Sequence, residues 1–340
     1  MNALITGGAG FVGSNLAAHL LEKGEQITVF DSLARHGAAE NLEWLRSLGL
    51  INFVHGDIRN AFDVEQVIKS LKPDVVFHLA GQVAMTTSMQ SPRRDFEINV
   101  LGSLNVLEAV RQYTPDTAVI YASSNKVYGN LDHLDLFEAE TRYQPRNPHQ
   151  KGIDESVAIE FHTPYGCSKG AADQYMLDYA RGFGLNTAVF RHSTIYGGRQ
   201  FATYDQGWVG WFCRQALETK RQPTRPPFTV SGDGKQVRDL LHVSDAVNAY
   251  VSAYEHIAEA RGQAFNIGGG LENSMSLLEL LLHLEERLQF KLDYTHLPWR
   301  QSDQRFFVAD NSKAERLLHW SPQVPKLSGV EDTIRWESRT

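Results

Sequence analysis

The stretch Gly7-Gly8-Ala9-Gly10-Phe11-Val12-Gly13 decides how the rest of the chain is read. It follows the short, mostly apolar run Met1-Asn2-Ala3-Leu4-Ile5-Thr6 and precedes residues 14–22, where apolar side chains recur at three- and four-residue spacing. This is the pattern of a strand that turns sharply into a helix. Gly7 permits the tight turn, Gly10 lets the backbone approach a ligand, and Gly13 allows the helix to pack closely on the sheet. The helix start, with Phe11 and Val12, then offers unpaired N–H groups and a positive dipole end to an anion. Any tight strand-to-helix turn can use such glycines, so the surroundings must decide.

The surroundings alternate. Runs with strand character at 2–6, 26–30, 52–55, 75–79 and 118–122 are separated by helix-like stretches such as 14–22 and 102–111. That rhythm implies right-handed βαβ units and a parallel sheet, and the nearly continuous apolar strands imply helices on both faces. A further helix is expected over 165–181 and a strand over 187–191. The expected fold is α/β: a Rossmann-type doubly wound parallel sheet with a smaller C-terminal α/β substrate-binding domain. The division falls at 1–190 and 191–340, with some later segments returning to the first domain. Between them, 129–164 is polar and turn-rich, including Pro145-Arg146-Asn147-Pro148, as binding loops often are. Residues 208–241, rich in Trp, Arg, Pro and Gly, resist assignment to regular structure. Later helices are expected over 245–259, 276–288 and 312–318.

Asp31 closes the second strand, where a carboxylate takes both ribose hydroxyls of NAD and repels the 2′-phosphate of NADP. Asp57 and Ile58, after the third strand, are placed to bracket the adenine. Tyr165-Gly166-Cys167-Ser168-Lys169 sets a tyrosine and a lysine on one helix face, where an ammonium lowers the phenol pKa toward general-base use. A second signal joins it: Ser123-Ser124-Asn125-Lys126-Val127-Tyr128-Gly129 follows an apolar strand at the sheet edge where ligands bind. A serine there either caps the turn, the plainer role for Ser123, or bonds a hydroxyl becoming a carbonyl, the role expected of Ser124.

With these motifs the chain resembles the extended short-chain dehydrogenase/reductase family, specifically its NAD-dependent sugar-nucleotide epimerases and dehydratases. The resemblance runs through the glycine turn, Gly56-Asp57-Ile58-Arg59, His78-Leu79-Ala80, 99–109, the Ser124 strand end, Tyr165/Lys169, 232–245 and Trp320-Ser321-Pro322. It implies that Tyr165 is the base, that Lys169 holds the nicotinamide ribose and tunes Tyr165, and that Ser124 orients the reacting hydroxyl. It further implies cofactor contacts from Leu79, Ala80, Gln82, Asn99 and His192; a buried, hydrogen-bonded His192 is compatible with that. Dehydratases of the family carry an Asp-Glu pair after the catalytic Ser/Thr; this chain has Asn125-Lys126, so removal and return of hydride is expected instead of water loss.

Arg191-His192-Ser193-Thr194-Ile195-Tyr196-Gly197-Gly198-Arg199-Gln200 and the run 201–211 are similar to the CDP-paratose 2-epimerases, also called CDP-tyvelose epimerases. That implies transient oxidation at C2, rotation of the bound ketose and hydride return to the opposite face. Substrate contacts are expected from Asn125, Thr194, Arg199, Gln200, Arg238 and Arg305, the arginines holding the diphosphate through their forked donors. Trp208 and Trp211 suit either the nucleotide site or the core. A C4 epimerase or another redox enzyme acting on a nucleotide-linked hexose on the same scaffold, and a non-catalytic NAD(H) sensor, are the competing readings.

The 340-residue chain carries a formal net charge of −7, which disfavours sequence-independent nucleic-acid binding. Its two cysteines, Cys167 and Cys213, form no metal-ligand spacing, so no metal is expected and a reducing compartment is. No basic and apolar leader or bilayer-length apolar run is seen, which points to the cytoplasm and to no membrane partner. The resemblance implies a homodimer or homotetramer built through helices over 95–113 and 166–182.

Overall fold

The computed structural model describes residues 1–147 and 151–339; Pro148 of the turn-rich connection and Thr340 lie outside the described residues. Seven parallel strands form the main sheet: β1 (Asn2–Thr6), β2 (Gln26–Asp31), β3 (Asn52–His55), β4 (Val75–His78), β5 (Ala118–Ser124), β6 (Asn186–His192) and β7 (Gln263–Ile267). Their order is β7-β6-β5-β4-β1-β2-β3. The sequence of connections reverses between β1 and β4, and that switch point opens a crevice at the carboxyl ends of the strands.

The sheet is buried on both faces, as its composition requires. One core cluster gathers Ala3, Ile5, Val75, Phe77, Ile120 and Phe190 beneath helices Phe11–Glu22 and Val243–Glu255. The other gathers Leu4, Phe30, Val76, Val119, Tyr121 and Val189 beneath helices Ala61–Leu71, Gly102–Tyr113 and Thr163–Phe183. Burying each such side chain contributes about 1.5–3 kcal/mol.

The helix over Pro92–Tyr113 is not uniform. It widens to a π-turn across Glu97–Leu101, which the spacing of apolar residues does not announce. The widened turn carries Asn99, and such insertions recur at functional sites. Residues 129–164 contain a short antiparallel pair, Leu136–Glu138 with Tyr143–Pro145. The helix expected over 245–259 breaks at His256 into Val243–Glu255 and Ile257–Ala260.

The segment 208–241 is a correction. It holds helix Trp208–Arg221 and strands Phe228–Ser231 and Val237–His242. The helix buries Val209, Phe212, Cys213 and Ala216, a true amphipathic stripe that the interspersed Trp, Arg and Gln obscure in sequence. With helices Leu277–Leu288 and Lys326–Glu337 it encloses a second core of Leu240, Leu280, Leu281, Leu284 and Val330. Strand Val237–His242 anchors a small sheet, parallel to Thr194–Tyr196 and Phe306–Phe307 and antiparallel to Ser274–Ser276. β7, which follows strand Val237–His242 in the chain, pairs with β6 in the main sheet.

Candidate active site

Two clefts meet above the carboxyl edge of the sheet. The first, about 340 Å³, is lined by Gly7, Gly10, Phe11, Val12, Gly13, Asp31, Asp57, Ile58, Leu79, Ala80 and Gln82, all of them expected at the cofactor. Gly7 has φ +69°, and a Cβ at Gly13 would stand 2.3 Å from the Gly7 carbonyl, so the turn admits no side chain at either place. The backbone of the helix start therefore borders the cleft directly. Asp31 presents its carboxylate there, held by the amides of Ala9 (3.0 Å) and Leu33 (2.8 Å), while burial pushes its pKa upward.

The second cleft, about 260 Å³, lies between the sheet edge and the C-terminal lobe. Ser124, Asn125, Lys126, Tyr165, Thr194 and Arg238 line it. β5 ends on Ser124 and helix Thr163–Phe183 begins just before Tyr165, so two elements of the main sheet's half deliver the reacting groups. Ser124 and Tyr165 line the same cleft, and Ser124 acts to lower the phenol pKa. Val83 and Gln206 line both clefts, which makes the two continuous.

Lys169 lies beneath the junction, one turn after Tyr165. It is buried, its Nζ stands 4.4 Å from the centre of the Tyr121 ring, and a Cβ at Gly81 would lie 3.5 Å from it. Burial pulls its pKa down to about 7, against the upward pull of Asp95 and Asp173. Burial pushes Tyr165 up to about 12, with Ser124 working downward and Asp95 upward. The expected depression of the phenol is thus absent from the protein's own groups: desolvation outweighs any ammonium field, and the ammonium is itself weakened by the same dry surroundings.

Other expected residues are placed less directly. Asn99 lines neither cleft; it accepts from the Gln82 amide (2.9 Å) and donates to the Gln82 carbonyl (3.1 Å) and Ser168 Oγ (2.9 Å). His192 also lines neither; its Nε2 shares a 2.7 Å hydrogen bond with Tyr250, and burial lowers its pKa to about 3, so the ring is neutral. Arg199 and Gln200 border the first cleft instead of the second. The Arg199 guanidinium is stacked between Trp44 (4.1 Å) and Trp336 (4.9 Å). Arg305 is exposed and stacks 5.3 Å from the Tyr143 ring, outside the second cleft. The arginine that lines this cleft beside Arg238 is Arg300, which sequence reasoning missed. Its signal was the Arg300/Asp303 pair in a turn-rich stretch. Trp208 and Trp211 both line the cleft, and Trp208 Nε1 donates to Thr194 Oγ1 at 3.1 Å.

Asn125 is tied to Gln304, its Nδ2 donating to Gln304 Oε1 at 3.0 Å. Among the described residues the carboxylates lining the second cleft are Asp205 and Asp303. Asp205 accepts from Thr86, Thr87 and Thr203, and Asp303 accepts from Arg238. Among the described residues no carboxylate stands where a dehydration acid/base pair would be needed, beside Ser124.

A glycine-turn cleft continuous with a Ser–Tyr–Lys group at one sheet edge defines an extended short-chain dehydrogenase/reductase. The chain belongs to the NAD dependent epimerase/dehydratase family, which matches residues 3–268. It is 57% identical over 338 residues to the CDP-paratose 2-epimerase of Salmonella typhi, covering 99% of each chain. Among solved structures it is similar to the UDP-glucose 4-epimerase of Thermotoga maritima with UDP-glucose (TM-score 0.85, 29% identity, 100% and 99% coverage). It is also similar to the UDP-glucose 4-epimerase of Thermus thermophilus in complex with NAD (TM-score 0.81, 27% identity, 99% of each chain). NAD is the cofactor of this family, and the first cleft suits it: an unobstructed helix start and the Asp31 carboxylate border the same crevice.

Proposed function

We propose that the chain is an isomerase that inverts C2 of a CDP-linked 3,6-dideoxyhexose, of the CDP-paratose/CDP-tyvelose type. The observation that carries this reading is the 57% identity to a CDP-paratose 2-epimerase across 99% of both chains. The Asn125-Lys126 pair after Ser124 agrees with it, since water loss lacks its acid and base.

NAD, when bound, supplies the hydride acceptor and a cationic ring whose charge lowers a neighbouring phenol's pKa. Tyr165 Oη takes the proton of the C2 hydroxyl as that carbon is oxidised, and gives it back to the carbonyl oxygen on reduction. Ser124 Oγ orients that oxygen, and Lys169 supports the phenolate and the nicotinamide ribose. Tyr165 and Lys169 sit in a dry pocket, which keeps the ketose from water-assisted side reactions. Inversion requires the sugar to turn over while its nucleotide stays fixed; Arg238, Arg300, Asn125 and Thr194 are the fixing groups, whereas Arg199 and Gln200 serve the cofactor side.

We further assign the chain to the cytoplasm as a homodimer or homotetramer. Helices Gly102–Tyr113 and Thr163–Phe183 and the turn before the first of them expose Phe96, Leu101, Tyr175 and Phe183, which suits subunit packing. No described helix is long and apolar enough to cross a membrane.

The test is a screen of CDP-, UDP- and GDP-hexoses without added NAD, read by NMR in D2O. C2 inversion of a CDP-sugar with no deuterium at C2 is expected. Inversion at C4 alone transfers the assignment to a C4 epimerase, as in the UDP-glucose 4-epimerases it resembles in fold. Unchanged turnover in Tyr165→Phe removes Tyr165 as the proton carrier, and NAD binding with no turnover of any nucleotide sugar leaves a cofactor sensor.

A further inference from the structure

We infer that Lys126 is a ligand for the sugar-proximal phosphate of the substrate, completing a three-cation clamp with Arg238 and Arg300. The inference rests on the nucleotide-sugar reading above and goes beyond it in naming a group that fixes the substrate next to the reacting carbon.

Lys126 lies in the single 3-10 turn Asn125–Tyr128 that follows Ser124. Its stem runs from the reacting end of the second cleft toward the loop before Phe306. There Nζ donates to the Ser302 carbonyl at 3.1 Å and stands 3.9 Å from Asp303 Oδ1. Arg238 Nη2 donates to the same Asp303 oxygen at 2.6 Å. Arg300 stacks 4.6 Å from the Tyr204 ring and donates to Ser231 Oγ (3.3 Å) and the Tyr204 carbonyl (2.9 Å), neither of them charged. Two cations therefore share one carboxylate, and a third, Arg300, lines the same cleft. The other carboxylate on this wall, Asp205, is committed to three hydroxyls on the side facing Arg35.

Such an arrangement is costly by itself. Burial and the charges of Arg238 and Arg300 both work to deprotonate Lys126, drawing its pKa down to about 8, and Asp303 compensates only in part. Like charges held together in a partly dry wall are stabilised by an anion of matching charge. A diphosphate supplies two such charges and several acceptor oxygens. Because Lys126 starts two residues from Ser124, its ammonium reaches the phosphate nearest the sugar; Arg238 and Arg300 remain for the rest of the diphosphate.

A purely structural latch on Ser302 would use the same hydrogen bond, so the test must separate charge from tether. Binding of CDP and CMP, with UDP and UMP in parallel, is measured by calorimetry on the NAD-loaded chain and on Lys126→Met, Lys126→Gln and Lys126→Arg. Gln keeps a donor for the Ser302 carbonyl while losing the charge. The expected result is a tenfold or greater loss of diphosphate affinity in Met and Gln, a loss under threefold in Arg, and monophosphate affinity changed less than threefold throughout. Unchanged diphosphate binding in Gln, or equal losses for mono- and diphosphates, overturns the inference and leaves the proposed function standing. A parent chain that binds none of these nucleotides overturns both.

Discussion

Arg191 grips Asp173 through two parallel hydrogen bonds of 2.9 Å, and both side chains are buried. The same carboxylate accepts from Ser123 (2.9 Å), and Arg191 also donates to Tyr128, so β5, β6 and helix Thr163–Phe183 are joined directly under Ser124 and Tyr165. Removing one partner leaves the other charge buried and unpaired. Asp173→Asn is therefore expected to cost about 3–5 kcal/mol in denaturant unfolding. Arg191→Met with Asp173→Leu should recover a large part of it. Equal stability of Asp173→Asn and the parent would show that this pair is dispensable.

Tyr165→Phe removes the proton carrier and little else, because its ring stays packed. Turnover should fall about 10²–10⁴-fold, the usual weight of general acid–base catalysis. NAD recovered per chain after denaturation should match the parent. Lys169→Met should lose turnover and also retain less NAD.

Gly13→Ala tests the glycine turn. The added methyl meets the Gly7 carbonyl at 2.3 Å, a clash with backbone that only movement of the turn relieves. Overpacking of this kind costs about 1–3 kcal/mol. A lowered melting temperature together with loss of co-purifying NAD is the expected outcome; Gly24→Ala, with nothing within 4 Å of its Cβ but φ +76°, should cost stability while NAD is retained.

His78 is fully buried between Thr6 Oγ1 (2.7 Å to Nδ1) and Ser103 Oγ (2.9 Å to Nε2), and desolvation lowers its pKa to about 3. Above pH 6.5 the ring is neutral folded or unfolded and no stability is lost. Between pH 6.5 and 3 the unfolded chain takes up the proton and the folded one does not, so stability falls as pH falls, by about 1.4 kcal/mol per unit for one such group. His78→Gln should have lower stability at pH 8 but a shallower decline from pH 6 to 4.5, measured by urea midpoints. Parallel declines in the two proteins would refute the buried, neutral assignment.

The parts of the molecule legible in sequence were those written in local pattern. Residues 2–6 and 52–55 match β1 and β3, and the glycine turn, Asp31, Asp57 and Ile58 line one cleft together, because strand periodicity and turn chemistry act over a few residues. Ser124 and Tyr165, far apart in the chain, are brought together by β5 and the helix Thr163–Phe183. Arg300 was missed and Arg305 preferred because their placement depends on a loop with no period, where a few residues separate a cleft wall from an exposed face. Arg199 is drawn to the first cleft by two tryptophans far away in sequence, Trp44 and Trp336, which no local pattern connects. Spacing shows a lysine one turn from Tyr165, but the burial that pushes the phenol upward is a tertiary property that no local pattern carries.

β7 enters the main sheet only after the first part of the C-terminal lobe, through strand Val237–His242, has been traversed, and it pairs with β6 from Ala188 to His192. During synthesis, then, the sheet that carries Ser124 leaves the ribosome with an open edge. That edge exposes backbone donors and acceptors to any passing strand until residues 263–267 arrive. The part of the lobe between β6 and β7 is in effect a long detour inside an unfinished sheet. Shortening the chain before residue 267 deprives the dinucleotide half of its last strand, so the two halves are made, and must mature, as one unit.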